Sequence, residues 1–458
     1  MKHTRLPHSD NRLQPWLALL PVMLMAAFLL HVGLTQLPMH NNGDYYRVVG
    51  SMIATPLGAL ETTCHPILSM RSTPLSTMGA IFYLSTTIQT WLGADCISER
   101  STFALLALSY LAGLHAYVRS SDSKLIVTAT CALPVLVFYP FLQSYFEEAA
   151  LFALMPWLCL GIRQLTQESR FGVFSVSAAL FVFAKVQMIV FVPLLLLLLV
   201  DRQRRIGGRL RATLVAAAII SLAALAAHLG KHETHKPNAY NRYFNGIGWS
   251  LQGVSDWPAS EFTTRHAYWY ANRDQLNDTS TDYEPLQSRE LMGSSYWPTG
   301  VELLKLHAPD KQLKADLLDR ITLKNYLGLL SSSGELAWSV AREVYLVFAQ
   351  SDYSIRYLRE PDAGHLARLT HFAASHFGWI YLVLALPLLW LPGFWLRLLL
   401  GGLYLALPAV VAFGDGFYEY EKHMVPYFAS APLFFVLLHT PRLGSPVQQP
   451  GNTIKAAR

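Results

Sequence analysis

Four short stretches of the sequence contain carboxylate, basic or amide side chains. Two contain carboxylates early in the chain: NNGDYYR, with Asp44 and Arg47, and YFEE, with Glu147 and Glu148. Two contain cations: AKVQ, with Lys185 and Gln187, and GDGFYEYEKH, with Asp415, Glu421, Lys422 and His423. A carboxylate within hydrogen-bond reach of a hydroxyl can remove its proton, and a cation can stabilise negative charge developing on a phosphate. These residue types suit group transfer from a phosphate to a hydroxyl, provided that the fold brings them together.

The elements that would position these stretches are membrane helices. Of the 458 residues, 52% are hydrophobic and 14% are charged, whereas a soluble domain carries roughly a quarter charged residues. The net charge of +6 does not indicate nucleic-acid binding, because the basic residues cluster in loops. The sequence predicts an all-α polytopic membrane protein with about ten transmembrane helices. The predicted crossings are 15–36, 101–118, 124–142, 147–163, 171–184, 186–200, 212–229, 374–395, 397–413 and 425–439.

The orientation follows from two basic segments. DRQRRIGGRLR at 201–211 contains five arginines, and the N-terminal segment is also basic, so both are expected in the cytoplasm. An even number of crossings must separate them. The segment 75–93 is a further apolar candidate, and including it would give seven crossings before residue 201, which is odd. One candidate therefore does not cross, and 75–93 is the weakest, because seven of its nineteen residues are Ser, Thr or Gln. We expect it to be an interfacial or re-entrant helix on the outer face.

This threading predicts the domain organisation. Residues 1–229 form an N-terminal transmembrane module with a first outer loop at 37–100, and 230–373 form a mainly helical extracytoplasmic domain. The C-terminal transmembrane helices occupy 374–440, and 441–458 form a cytoplasmic tail. Within the outer domain, helices are expected at 301–327 and 335–349, the second of them amphipathic.

The four cysteines fall into two groups in this topology. Cys64 and Cys96 share the oxidising side, where they either form a disulfide or remain two unpaired thiols. Cys131 and Cys159 lie in membrane helices, where we expect them to pack in the interior.

The same threading places all four stretches on the outer face. Charge at membrane depth is costly, so such convergence favours a site. Each stretch alone has an ordinary alternative. Asp44 and Arg47 could be a solvated pair, Glu147 and Glu148 could complement a helix dipole, Lys185 could extend to the interface, and the last stretch could be a solvated turn.

The predicted chemistry is transfer of a sugar from a polyprenyl phosphate. Asp44 is expected to act as general base on the acceptor hydroxyl, and Glu147 or Glu148 to orient the acceptor or share that role. Lys185 would stabilise the leaving phosphate, with Lys422 and His423 as further candidates. Attack assisted by a single base inverts the anomeric centre. Tyr- and Trp-rich segments at 240–258, 266–270 and 294–300 could stack on sugar rings, or could form a domain core and interface anchors.

The order of these parts resembles the type C (GT-C) superfamily of membrane glycosyltransferases. The resemblance rests on an early Asp in the first outer loop (Asp44), interfacial helices, the acidic turn YFEE, the K-x-Q turn and the late GDG…EKH turn. The segment with Tyr240, Asn241, Phe244 and Ile247 is similar to one in bacterial envelope-glycan members. The resemblance implies a bacterial inner-membrane enzyme with cytoplasmic termini, a polyprenyl-phosphate sugar donor and a glycan or lipid acceptor. Many members have two adjacent acids in the first loop, but here Tyr45 follows Asp44. We therefore expect no cofactor, and a divalent metal is not favoured.

Two other functions remain open on the sequence. An O-antigen ligase or polymerase also has many crossings and a large outer loop, with its key basic residues inside that loop; Arg265 and His266 would be the candidates here. A flippase or transporter of lipid-linked sugars would catalyse no reaction, and its charged residues would lie near the bilayer midplane beside broken helices.

Overall fold

The structure is a computed structural model of the chain. It describes residues 14–35, 64–66, 76–121, 123–143, 146–168, 170–206, 210–229, 334–351, 365–390, 394–415 and 420–438, together with 328, 331 and 353. Asp44, Arg47, Arg265, His266, the aromatic segments from 240 to 300 and the predicted helix at 301–327 lie outside these ranges. Most of the predicted outer domain does so as well.

The described part of the chain is mostly helical, as predicted. The first helices are α1 (Gln14–Thr35), α2 (Thr77–Trp91), α3 (Glu99–Ser120), α4 (Lys124–Leu142), α5 (Glu147–Arg163), α6 (Gly172–Ala184), α7 (Val192–Ile206) and α8 (Leu210–Leu229). They are followed by α9 (Gly334–Gln350), α10 (His365–Ser375), α11 (Phe377–Leu384), α12 (Phe394–Asp415) and α13 (Tyr420–Leu438). Shorter helical turns occupy Gln164–Glu168, Val186–Phe191 and Leu386–Trp390, and two strands, β1 (Cys64–Pro66) and β2 (Cys96–Ser98), pair in antiparallel register.

Four of these helical segments are long and apolar enough to cross a membrane, namely Arg100–Ser120, Lys124–Leu142, Glu147–Glu168 and Leu210–Leu229. A fifth candidate is the pair Arg368–Ser375 and Phe377–Leu388, which is bent by 62°. Shorter apolar helices at Leu19–Thr35, Gly172–Ala184, Val186–Asp201 and Leu398–Gly414 coincide with further predicted crossings. The chain therefore has the helices of a membrane protein, and the number of ten crossings remains a prediction.

The chain divides into two compact units. The first contains α1 to α7, most of α8 and the last turns of α13. The second contains the end of α8, α9 to α12 and the first turns of α13.

The first unit is built around α5. Almost all of α5 is buried, and it packs against α2, α3, α4 and α6. The connections between α3, α4 and α5 are only a few residues long, which makes neighbouring helices antiparallel. Close packing of α5 on α6 depends on Gly161, because a Cβ there would lie 2.7 Å from the Cα of Phe174. The beginnings of α3 and α5 and the ends of α4 and α6 thus share one end of the unit, hereafter the Glu148 end.

Helix α2 is bonded to the Glu148 end near both of its own termini. At its start, Ser76 caps the helix by accepting from the Gly79 N–H, and Thr77 Oγ1 donates to the carbonyl of Leu180 at 2.6 Å. Leu180 belongs to the last turn and a half of α6.

Near the other terminus of α2, Gln89 connects it to β2 and α3. Its Nε2 donates to Ser85 Oγ at 3.0 Å, and its Oε1 accepts from the N–H of Ser98 at 2.7 Å. Ser85 also shares a hydrogen bond of 2.9 Å with Thr102, in the first turn of α3. Both ties of α2 therefore lie at the same end of the helix bundle.

The side chains of α2 show a mixed pattern. Its buried face combines apolar Met78 and Phe82 with polar side chains, namely Thr77, Ser85, Thr86 and Gln89, and several large apolar side chains are exposed: Tyr83, Leu84, Ile88 and Trp91. In a soluble protein such apolar side chains would be buried. The helix predicted within 75–93 is confirmed.

The second unit has an aromatic core formed by α9, α11, α12 and α13. The rings of Tyr381 and Tyr404 stack with centroids 4.0 Å apart, and each hydroxyl donates to the backbone carbonyl of the other residue at 3.0 Å. Phe348 contacts Tyr381 and Phe428 in the same cluster. The helix predicted at 335–349 is confirmed as α9, with buried Val340, Val344 and Phe348 at helical spacing.

The cysteines divide as the sequence analysis proposed. Cys96 is disulfide-bonded, and its strand pairs with the strand that contains Cys64. Cys131 and Cys159 are free thiols buried within the first unit, which agrees with a packing role.

Candidate functional site

The centre of the candidate site is an ion pair between Glu148 and Lys185. The Nζ of Lys185 donates to Oε1 of Glu148. The two side chains are 2% and 9% exposed, so the pair is removed from solvent. Because they are 37 positions apart in the chain, the contact is made by the packing of α5 against α6.

Local sequence explains where Glu148 lies. Phe146, in an extended conformation, precedes α5, and Glu147 and Glu148 occupy its first turn. The N-terminal turn of a helix presents unpaired N–H groups and the positive end of the helix dipole, which favours carboxylates. Glu148 is 1% exposed and Glu147 8% exposed, so both acids of the predicted turn are buried.

Lys185 stands at a break between two helices. Helix α6 ends at Ala184, and Lys185 is extended, with φ −152° and ψ 139°. A turn of 3-10 helix then begins at Val186. Helix α6 has 13 residues and is about 20 Å long, shorter than the ~30 Å hydrocarbon core of a bilayer. The lysine is thus carried at the end of a short helix, next to the start of α5.

A buried ion pair is stronger evidence of a functional role than a salt bridge on the surface. Transfer of two charges from water into the interior costs free energy that their mutual attraction barely offsets. Replacement of such a pair by apolar residues is often neutral or stabilising. A buried pair at the end of a bundle is therefore weakly explained by stability alone, and it favours a functional reason for keeping both charges.

The remaining predicted residues are placed as follows. Gln187 lies in the turn after Lys185 and is half-buried. Asp415 ends α12 and Glu421 lies in the first turn of α13. Lys422 is 2% exposed and His423 is half-buried, both in the part of α13 that belongs to the second unit. The structure brings Glu148 and Lys185 together; the predicted partners Asp44 and Arg47 lie outside the residues it describes.

One residue of the Glu148 end was missed by the sequence analysis. Gln143 is 5% exposed and follows the last residue of α4. Its Nε2 donates to the carbonyl of Val32 in α1 at 3.0 Å, which ties the end of α1 to this end of the unit. The signal was an amide that directly follows the predicted crossing 124–142 and stands four positions before Glu147.

Within the described ranges, no group of three or more His, Cys, Asp or Glu side chains is placed to hold a metal ion.

Comparison with known proteins gives no relative. No family model matches the chain, and neither a curated protein nor a solved structure matches it. The resemblance to type C glycosyltransferases thus remains a hypothesis based on short motifs.

Proposed function

We propose that the chain is an integral-membrane glycosyltransferase of the type C kind. It would move a sugar from a polyprenyl-phosphate donor to an envelope glycan or lipid acceptor on the periplasmic face of a bacterial inner membrane. The single observation that carries this proposal is the buried pair of Glu148 and Lys185 at the end of two membrane helices. It supplies a cation for a phosphate and a carboxylate for a hydroxyl in one place.

Lys185 is suited to a phosphate because of its surroundings. An ammonium group in a poorly solvated site interacts strongly with an anion. A lipid phosphate entering from the membrane would bring the negative charge that Glu148 supplies in its absence. The cation would then stabilise the phosphate as it leaves with the electrons of the broken bond.

The proposed reaction has one chemical step. The oxygen of the acceptor hydroxyl attacks C1 of the sugar, and the bond between C1 and the phosphate oxygen breaks with its electrons passing to the phosphate. The hydroxyl proton passes to a carboxylate, for which we propose Asp44, with Glu147 or Glu148 orienting the acceptor. Attack from the face opposite the phosphate inverts C1. The residues Arg47, Gln187, Asp415, Glu421, Lys422 and His423 are proposed to bind substrate.

The geometry of α2 supports the proposed topology. A helix tied near both termini to one end of the bundle suits an interfacial position, and its exposed apolar face suits lipid. With α2 at the outer interface, the proposed arrangement has ten crossings, cytoplasmic termini and a large periplasmic domain.

A second candidate function has one observation in its favour. The break at Lys185 between α6 and the next helical turn is of the kind found at the binding sites of transporters. A flippase of lipid-linked sugars would use the same lysine to hold the phosphate without breaking a bond.

The deciding experiment uses the full chain in proteoliposomes with a panel of radiolabelled polyprenyl-phosphate sugars and membrane extracts as acceptor. Glycosyl transfer by the wild type, with loss in Asp44→Asn and in Lys185→Met, is expected. Equal transfer by wild type and Asp44→Asn would exclude Asp44 as the base. Movement of labelled lipid between leaflets without release of polyprenyl phosphate would favour the flippase.

A further inference from the structure

Gln143 has a hydrogen-bond acceptor with no donor. Its side-chain Oε1 is buried and makes no hydrogen bond to any residue that the structure describes. The residue as a whole is 5% exposed. Most buried side-chain oxygens in proteins have a partner, and each exception needs an explanation.

The orientation of the amide is determined by its other end. Oxygen and nitrogen of a glutamine are normally interchangeable by a flip. Here the nitrogen faces the carbonyl of Val32 at 3.0 Å, and a flip would place two acceptors against each other. The unpaired atom is therefore an oxygen, and it requires a donor.

The backbone before Gln143 holds the side chain in this place. Phe138 leaves the helical conformation, with φ −115° and ψ 28°, and Pro140 follows it in the last turn of α4. The N–H of Gln143 then closes the helix on the carbonyls of Tyr139 and Pro140. The amide is thus fixed by α4 and α1 before any ligand arrives, and it cannot move far to find a donor of its own.

The position of the amide, together with the proposed substrates, indicates the kind of donor. Gln143 and Glu147 are separated by three residues, so the amide lies at the same end of the unit as the ion pair of Glu148 and Lys185. An uncharged acceptor at the same end of the unit as these charged groups is suited to a neutral donor, because a cation would be drawn to the carboxylates instead. Among the groups of the proposed substrates, the neutral donors are sugar hydroxyls.

We propose that Oε1 of Gln143 accepts a hydrogen bond from one hydroxyl of the bound sugar and makes the enzyme selective for sugars that carry it. This inference rests on the proposed function, whose substrates supply the hydroxyl. A site built to bond a hydroxyl rejects the analogue that lacks it, since the buried acceptor is then left unpaired.

The test is a panel of monodeoxy sugars, presented in the donor and in the acceptor, with kcat/KM measured for each. For the wild type, removal of one particular hydroxyl should lower kcat/KM by about tenfold, the effect of a single lost hydrogen bond. In Gln143→Met, whose side chain has similar length and no acceptor oxygen, kcat/KM for the same analogue should equal that for its parent sugar. The matched control is Thr77→Val, which also loses a side-chain bond to a backbone carbonyl at this end of the unit. It should keep the wild-type preference.

Several outcomes would overturn the inference while leaving the proposed function intact. One is that Gln143→Met discriminates among the deoxy sugars as the wild type does, which would mean that water satisfies the oxygen. Another is a uniform loss for all sugars in Gln143→Met. If this variant does not fold, Gln143→Glu replaces it in the test, because it keeps an acceptor oxygen. Gln143→Glu must still reject the same analogue. Equal kcat/KM for all deoxy sugars in this variant would contradict the inference. A wild type that transfers no sugar would contradict the proposed function itself.

Discussion

Lys185 and Glu148 form an ion pair between the end of α6 and the first turn of α5, with both side chains almost completely buried. Such a pair contributes little net free energy to folding. Substitutions can therefore distinguish a role of the two charges in activity from a role in stability.

We therefore predict different responses of stability and activity to substitution of the pair. Lys185→Met and Glu148→Gln should each destabilise the protein, Lys185→Met by about 3–5 kcal/mol because it leaves a carboxylate buried without its cation. The double variant should recover most of this loss, yet remain inactive in sugar transfer. Thermal unfolding in detergent and the transfer assay measure the two effects. An active double variant would show that the pair is structural.

Close packing of α5 on α6 should depend on Gly161. A Cβ at this position would lie 2.7 Å from the Cα of Phe174, a backbone atom that cannot move alone. Gly161→Ala is expected to destabilise the first unit by about 1–3 kcal/mol, because α5 and α6 must separate at this position to admit the methyl group.

The matched control for this prediction is Gly172→Ala. It lies in the first turn of α6, where an added Cβ meets no atom within 4 Å. It should leave the unfolding midpoint within experimental error of the wild type or above it. Equal midpoints for both variants would mean that α5 and α6 can separate slightly at no cost.

The bonds of Gln89 should hold α2 on the bundle. Gln89→Met removes the acceptor of the Ser98 N–H and the donor to Ser85, and a destabilisation of about 1–3 kcal/mol is expected. Amide hydrogen exchange should rise in α2 and β2. The control is Thr87→Val, since Thr87 is exposed and its hydroxyl bonds only the carbonyl of Tyr83 in the same helix; unchanged exchange is expected there.

The threading of the chain can be tested with two exposed arginines at opposite ends of antiparallel helices. Arg100 lies in the first turn of α3 at the Glu148 end, and Arg170 precedes α6 at the other end. In intact spheroplasts, a membrane-impermeant maleimide should label Arg100→Cys and not Arg170→Cys. After permeabilisation it should label both. Background from Cys131 and Cys159 should be low because both are buried. The reverse labelling pattern would place the proposed active site in the cytoplasm.

The meeting of Glu148 and Lys185 could be predicted because it depends on coarse properties of the sequence. Apolar runs indicate the helices, and basic loops indicate their direction. Charged side chains that are predicted on the same side of the membrane have few possible partners other than one another. The helices within 75–93 and 335–349 were predicted from composition and periodicity, since the first has many polar residues among its apolar ones and the second is amphipathic.

Other features depend on single hydrogen bonds that no periodicity reveals. The bend of 62° between α10 and α11, at the start of the predicted crossing 374–395, was not predicted. There, Ser375 Oγ donates to the carbonyl of Phe372, and His376 Nδ1 lies 2.9 Å from the same oxygen. Side chains that compete for helix carbonyls in this way favour a break. The unpaired oxygen of Gln143 was likewise not predictable, because it follows from the distance between α4 and α1.

The reciprocal bonds of Tyr381 and Tyr404 have a consequence for any conformational cycle of the protein. Each hydroxyl ends on the backbone of the opposite helix, so a slide of α11 along α12 by even one residue would break both bonds at once. These two bonds fix the register of α11 and α12, so the two helices are expected to move as one rigid body. A movement that admits the proposed lipid substrate would have to hinge outside α11 and α12.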